Sequence, residues 1–275
     1  MIMDAHHHLW SLARGDYVFP PPGDTVLYRD YMPSDLEPHL VDNGVAGTIV
    51  VQTTDTIEES QFLLDLAFQS RFIKGVVAWW NLADGAMLDA LLAHRGAMKL
   101  VGIRPMLQRF ADIDWILEDR IVENLAAVGE KGLVFDALIG PHQLSAVSEI
   151  CRRVPSLQVV VNHMAKPWRD PADFSNWATQ MSALAKADNC SVKISGFPHS
   201  NIPSQELLHF EPLISRLKDQ FGIERLIWGS DWPVAVREGD YQHVLLRALA
   251  SFDASERDRV FALNAIRLYS LNEGF

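Results

Sequence analysis

Near the amino terminus Asp4 is followed by His6-His7-His8 and then by Leu9-Trp10. In an extended strand side chains alternate between faces. Asp4, His6 and His8 are therefore expected on one face and His7 on the other. Two imidazoles two residues apart can converge on one metal ion or one substrate oxygen. An affinity tag would be a longer pure histidine run set off by linker residues; here the run sits between Ile-Met-Asp-Ala and Leu-Trp. The far part of the chain supplies partners of matching chemistry, His163 after Asn162 and Asp231 within Gly-Ser-Asp-Trp-Pro. A solitary His163 would read as a satisfied core histidine. Beside a histidine pair and a carboxylate it reads as part of a site.

The elements that would position these groups follow from apolar periodicity. Short apolar or β-branched runs suggest strands near Ile2–Ala5, Thr48–Gln52, Val76–Trp80, Leu100–Ile103, Leu133–Phe135, Val159–Val161, Val192–Ile194 and Leu226–Trp228. Most lack polar alternation, as parallel strands buried on both faces do. Helical patterns fill the gaps. Thr56 and Glu59 form a capping-box pattern opening a helix through Phe72, and Ser34 after Pro33 can cap a helix that Gly44 ends. Pro141 suits a first turn, Asp173 or Ser175 can start a helix through Ala187, and Ser204 one through Phe221; Asp240–Ser251 and Ser255–Leu271 close the chain. Eight strands alternating with helices, and no glycine-rich phosphate loop after the first, predict an α/β protein of (β/α)8 TIM-barrel type. The whole of residues 1–275 is read as one domain, with Ser11–Tyr31 as an active-site loop at the barrel mouth.

In such barrels chemistry lies at the carboxyl ends of the strands. Those positions carry His6 and His8, Gln52, Trp79-Trp80-Asn81, Arg104, Asp136, Asn162-His163, Lys193 to Ser195, and Asp231-Trp232. Asp136 serves equally well as a turn or helix cap. Arg104 is assigned to substrate rather than to an internal carboxylate. Lys193 within an apolar strand is costly unless paired, and reads as either an ion-pair member or an electrophile. Trp10, Trp79, Trp80, Trp168, Trp228 and Trp232 fall in or just beyond strands; Trp228 suits the core, while others around a mouth suit a sugar ring.

Composition narrows the function classes. The 275 residues carry a formal charge of −11, with 48% hydrophobic and 21% charged residues. That charge disfavours nucleic-acid and anionic-membrane partners, since phosphate binding needs a basic footprint. No apolar run reaches bilayer length and no signal-peptide pattern opens the chain. Two cysteines, Cys151 and Cys190, suggest no disulfide framework and fit a reducing interior. The expectation is a cytoplasmic enzyme of a small-molecule substrate; a homo-oligomer is left open.

The motifs Asp4-Ala5-His6-His7-His8-Leu9-Trp10, Gly102-Ile103-Arg104, Asn162-His163-Met164-Ala165-Lys166-Pro167, Val192-Lys193-Ile194-Ser195-Gly196 and Gly229-Ser230-Asp231-Trp232-Pro233 resemble the amidohydrolase-2 family of the amidohydrolase superfamily. The likeness is to its branch of sugar-lactone hydrolases, of L-fuconolactonase and L-rhamnonolactonase type, and of 2-pyrone-4,6-dicarboxylate lactonase. It runs from residue 3 to the end and implies a (β/α)8 barrel. It implies that His6 and His8 are the strand-one pair, His163 the strand-six histidine and Asp231 the strand-eight aspartate. Arg104 stands where binuclear members place a bridging Lys or Glu, and Asp136 where they place a ligating His. A single Zn²⁺ or other divalent ion on His6, His8 and Asp231, with His163 nearby, is therefore expected rather than a metal pair; the branch also includes metal-independent lactonases.

Lactone hydrolysis needs a water nucleophile, a base and positive character facing the carbonyl oxygen. Asp231 is the expected base, its pKa raised by the surrounding Trp228, Trp232 and Pro233. His163, with Lys193 or Arg104, would polarise the carbonyl, while Asn162, Gln52, Trp10 and Trp232 would shape a polyhydroxylated ring site. A pyrone dicarboxylate would call for a group of cations, for which Arg14, Arg104, Arg109 and Lys193 are the candidates. An aldonolactone is favoured over that substrate, over a zinc-dependent decarboxylation of an unsaturated or aromatic acid, and over a non-catalytic binding barrel.

Overall fold

The computed structural model describes residues 1–169, 171–198, 209–237 and 240–271. Among them eight parallel strands pair in sequence order, β1 Ile2–His7, β2 Val45–Val51, β3 Ile73–Ala78, β4 Leu100–Ile103, β5 Val134–Ala137, β6 Gln158–Val161, β7 Cys190–Ile194 and β8 Leu226–Trp228. The ring closes between β8 and β1 through a bridge of His7 with Trp232 and two amide bonds, Asp231 N to His6 O at 2.7 Å and His8 N to Trp232 O at 2.7 Å. The fold is the expected single-domain TIM-barrel type.

Around the sheet lie α1 Pro33–Asp42, α2 Ile57–Gln69, α3 Gly85–Leu92, α4 Asp119–Glu130, α5 Leu144–Arg153, α6 Phe174–Leu184, α7 Phe210–Phe221, α8 Tyr241–Ala250, α9 Ala254–Asp258 and α10 Asn264–Leu268. The expected start of α7 at Ser204 lies outside the described residues. Two caps differ from expectation. Pro33 itself takes the first position of α1, Met32 precedes it, and the Asp35 carboxylate accepts the Met32 amide at 2.8 Å, so Ser34 lies inside the first turn. In α2 the Thr56 hydroxyl accepts the Glu59 amide at 3.2 Å as expected. The Glu59 carboxylate does not return to the cap, because it accepts the amides of Thr53 and Thr54 at 2.9–3.0 Å.

Two apolar clusters separate the layers. The outer one fills the space between strands and helices. The inner one combines Met3, Ala5, Ile49, Val51, Val77, Val101, Val134, Val160 and Ile227 with Ala262, Ala265, Leu268, Tyr269 and Leu271 of the carboxyl-terminal helical segment. That segment plugs the amino-terminal end of the barrel and leaves the carboxyl end of the strands for polar groups. No helix among the described residues is long and apolar enough to cross a membrane.

Candidate active site

The amino-terminal motif is not a simple alternating strand. Met3 and Ala5 belong to the inner cluster, and the ladder with β2 shifts register between Asp4 and His7. A bulge of this kind re-aims side chains. It frees His6 and His8 to meet at an Nε2–Nε2 distance of 3.2 Å, while His7 bonds Thr48 Oγ1 at 2.9 Å. Asp4, expected beside His6 and His8, departs from that face. It accepts the Ser230 amide at 2.8 Å, the Ser230 hydroxyl at 2.6 Å, the His6 amide at 3.1 Å and the Tyr241 hydroxyl of α8 at 3.0 Å. Burial still pushes its carboxyl up to about 6 against those bonds.

Asp4 thereby clamps the turn that carries Asp231. Ser230 Oγ also accepts the Trp232 amide at 3.0 Å, so the residue on each side of Asp231 is tied down. Asp231 itself sits at φ 58°, a left-handed conformation that a non-glycine residue adopts only when its surroundings impose it. Its Oδ1 lies 3.3 Å from His8 Nε2, 3.6 Å from His6 Nε2 and 3.9 Å from His163 Nε2. The expectation of a raised pKa fails here. Burial does act upward, but His163, the His8 hydrogen bond and Arg104 outweigh it and hold the carboxyl below its ordinary range.

His163 opens a turn beyond β6 in which His163, Met164, Ala165 and Lys166 have φ of 52°, 55°, 55° and 54°. Its Nδ1 meets Ser195 Oγ at 2.9 Å, and Gly196 comes so close that an added Cβ would stand 2.5 Å from that nitrogen. Burial, helped by Lys166 and Arg104 and opposed by Asp231, drops the imidazole to about 3, so it is neutral near pH 7. His8 is lowered too, burial leading, and its Nδ1 is fixed on Val51 O at 2.8 Å.

A polar chain runs from this cluster into the barrel. Arg104 Nη1 lies 3.4 Å from His6 Nε2 and donates to Asn162 Oδ1 at 3.3 Å; Asn162 donates to Asp136 Oδ2 at 3.1 Å. Asp136 also accepts Lys193 Nζ at 2.6 Å and the Tyr269 hydroxyl at 2.6 Å. Lys193 and Asp136 are both fully buried, which resolves Lys193 as an ion-pair member. Gln52 and Arg104 bond each other twice, once from Gln52 Nε2 to Arg104 O at 2.7 Å and once from Arg104 Nη2 to Gln52 O.

Above the cluster opens a cavity of about 370 Å³, lined by His8, Phe19, Thr53, Arg104, Met106, Gln108, Arg109, Leu138, His163, Lys166, Trp168, Gly196, Asp231 and Val234. Of the residues singled out from sequence, His8, Arg104, His163 and Asp231 face it. His6, Gln52, Asn162 and Lys193 lie behind its wall. Trp10 and Trp232 are buried, Trp10 donating its indole N–H to Arg29 O at 2.7 Å. Gln108, Thr53 and Lys166 carried no assigned role in sequence; Lys166 stood inside a motif and Gln108 closed the Gly102–Gln108 stretch that resembles the sugar-lactonase branch, whereas Thr53 lacked any local signal.

Residues 3–271 match the amidohydrolase family. The chain belongs to that family. This amidohydrolase is 38% identical over 98% of its length to an L-fucono-1,5-lactonase of Burkholderia ambifaria, covering 96% of that relative, and 30% identical to an L-fucono-1,5-lactonase of Burkholderia multivorans over 98% and 96%. An amidohydrolase from Burkholderia multivorans crystallised with bound zinc superposes with a TM-score of 0.91 at 29% identity, over 99% of this chain and 100% of that one. A probable 2-pyrone-4,6-dicarboxylic acid hydrolase of Acinetobacter baumannii shares the fold, with a TM-score of 0.76 at 18% identity, over 98% and 99%.

The donor set of this amidohydrolase fits one divalent ion. Ligand atoms of His6, His163 and Asp231 lie within 4.8 Å of one another, with His8 Nε2 beside them. Imidazole nitrogens and a carboxylate are the ligands such an ion takes. His8 and His163 have their second ring nitrogens held by Val51 O and Ser195 Oγ, the support a ligating histidine needs. His6 Nδ1 has no such partner among the described residues.

Proposed function

We propose that the protein hydrolyses a small lactone, a sugar aldonolactone, with Asp231 as general base and His163 and Arg104 facing the carbonyl. The observation that carries this reading is the meeting of the Asp231 carboxylate with His8 and His163 at the floor of one cavity, with His6 directly behind them. The named lactonase relatives support it.

In this mechanism water attacks the lactone carbonyl carbon while Asp231 takes its proton. A carboxyl held below its ordinary range is ionised at neutral pH and ready to accept. The oxyanion is met by the Arg104 guanidinium and by His163 Nε2–H, which is the tautomer formed when Ser195 Oγ–H donates to Nδ1. Collapse breaks the ring C–O bond, and the proton on Asp231 passes to the departing alkoxide. The product is a hydroxy acid that ionises to its carboxylate. A divalent ion held by His6, His163 and Asp231, with His8 beside them, would supply Lewis-acid polarisation of the carbonyl in place of the His163 Nε2–H, because a ligating Nε2 carries no proton and Nδ1–H then donates to Ser195 Oγ.

Arg104 and Trp168 contact substrate directly. Asn162 and Gln52 act from behind the wall by holding Arg104, and Lys193 by pairing with the Asp136 that accepts Asn162. Trp232 acts as part of the Asp231 turn, and Trp10 by packing on Tyr31 and Phe19 of the mouth loop. The loop at about 11–31 borders the mouth, as the Phe19 lining suggests. Residues 1–275 work as one domain, and the two free, buried thiols accord with a cytoplasmic setting.

A second reading, a carboxylated lactone of the pyrone dicarboxylate type, draws on Arg104, Arg109 and Lys166 in the same wall. A pH-indicator assay against sugar lactones and pyrone dicarboxylate, before and after chelation, decides between them. Asp231→Asn should abolish turnover in a folded protein, and near-wild-type activity would refute the base. Activity lost on chelation and restored by Zn²⁺ assigns the ion; activity that survives makes Asp231 sufficient. Release of CO₂ from a carboxylated acid, with no lactone turned over, would instead indicate a decarboxylase.

A further inference from the structure

We infer that Lys166 and Gln108 form a specificity subsite that reads the ring hydroxyls of the lactone; the inference rests on the lactonase reading above. Four successive non-glycine residues, His163 to Lys166, are left-handed, a conformation in which Cβ crowds the following carbonyl oxygen. Strain of this kind persists where the surroundings over-determine it and clusters at working sites. Here Met164 and Ala165 are fully buried, and Trp177 Nε1 of α6 donates to Met164 O at 2.9 Å. Lys166 N returns to His163 O at 2.8 Å, closing one turn.

That turn has a consequence for presentation. Residues three apart in a tight helical turn project to the same side, and His163 and Lys166 both line the cavity. Presenting His163 alone would not need three further strained residues; the continued turn brings a second functional side chain to the same wall. The ammonium of Lys166 meets Gln108 Oε1 at 2.6 Å, and Gln108 sits in the short helical turn Leu107–Arg109 beyond β4. Gln108 is anchored by its amide on Leu138 O at 3.1 Å.

A cation next to a carboxamide matches adjacent hydroxyls, each of which donates and accepts. Trp168 in the same wall offers an apolar face for the C–H side of a sugar ring. Lys166 is 9% exposed, so hydrogen bonds made there are shielded from bulk water. The ligand class is a polyhydroxylated lactone rather than a simple cyclic ester.

The test compares kcat and KM for an aldono-1,5-lactone with those for δ-valerolactone, which has the same ring and no hydroxyls, in wild type, Lys166→Met and Gln108→Met. Each variant should lower the preference for the hydroxylated lactone about 10–100-fold, the loss lying mainly in KM for that substrate. An unchanged preference ratio would overturn the subsite. So would a loss confined to kcat and equal on both lactones, which would place Lys166 on the reacting carbonyl. Gln108→Met keeps the question answerable if the strained turn does not tolerate Lys166→Met. Wild-type protein inactive on both lactones would refute the lactonase reading itself, a result distinct from either of these.

Discussion

At the scale of single residues, Asp231 shows why burial alone does not set a pKa. Its apolar neighbours predict a weak acid, yet the imidazoles and guanidinium within reach reverse the sign. Glu59 is the opposite case. Burial dominates over the Thr54 and Thr53 amides and pushes its carboxyl up to about 8. Since the folded pKa lies above the ordinary 4.5, the folded state holds the proton more tightly between those values. Stability is therefore greatest below that window and is lost as pH rises through it, by at most about 1.4 kcal/mol per pH unit. Glu59→Gln should flatten this slope, read from urea unfolding at several pH values; an unchanged slope would assign the proton elsewhere. Gly196→Ala tests the packing of His163. Its methyl would collide with the imidazole and adds strain at φ 61°, so kcat/KM should fall at least about tenfold.

Among the elements, β1 and the turn after β6 decide the site, and both break simple periodicity. The bulge in β1 sends Asp4 to the Ser230 turn and His6 to the cluster, which the period of two assigned to a common face. No local sequence rule marks it, because the driving contacts come from Ser230 and Tyr241, more than 220 residues away in sequence. The cap of α2 was legible, since Thr56 followed three residues later by Glu59 is a short-range pattern. Thr56 Oγ1 also donates to Asp16 Oδ2 at 2.9 Å, tying the mouth loop to α2. Thr56→Ala should cost about 1 kcal/mol of stability, measured by chemical unfolding. Hydrogen exchange in the loop should quicken with it.

For the molecule as a whole, the helical plug and the polar interior form one unit. Tyr269 donates from the carboxyl-terminal helical segment to Asp136 in the barrel, so that segment completes the hydrogen bonding of the buried carboxylate. Tyr269→Phe leaves Asp136 Oδ1 short of a partner and should cost about 1–3 kcal/mol in thermal or urea unfolding. A cost near zero would mean that Lys193 and Asn162 suffice. The sequence alone determined the eight-fold alternation of strand and helix, because parallel buried strands and amphipathic helices are written in local apolar runs. It also marked His6, His8, His163 and Asp231, because chemistry needs those side chains at strand ends. The tertiary structure decided which of the strand-end residues face the cavity and which stand behind it, which way the Asp231 pKa moves, and that Lys166 and Gln108 meet. Those outcomes depend on distances between groups remote along the chain, and electrostatic and packing energies are set by such distances, not by spacing in sequence.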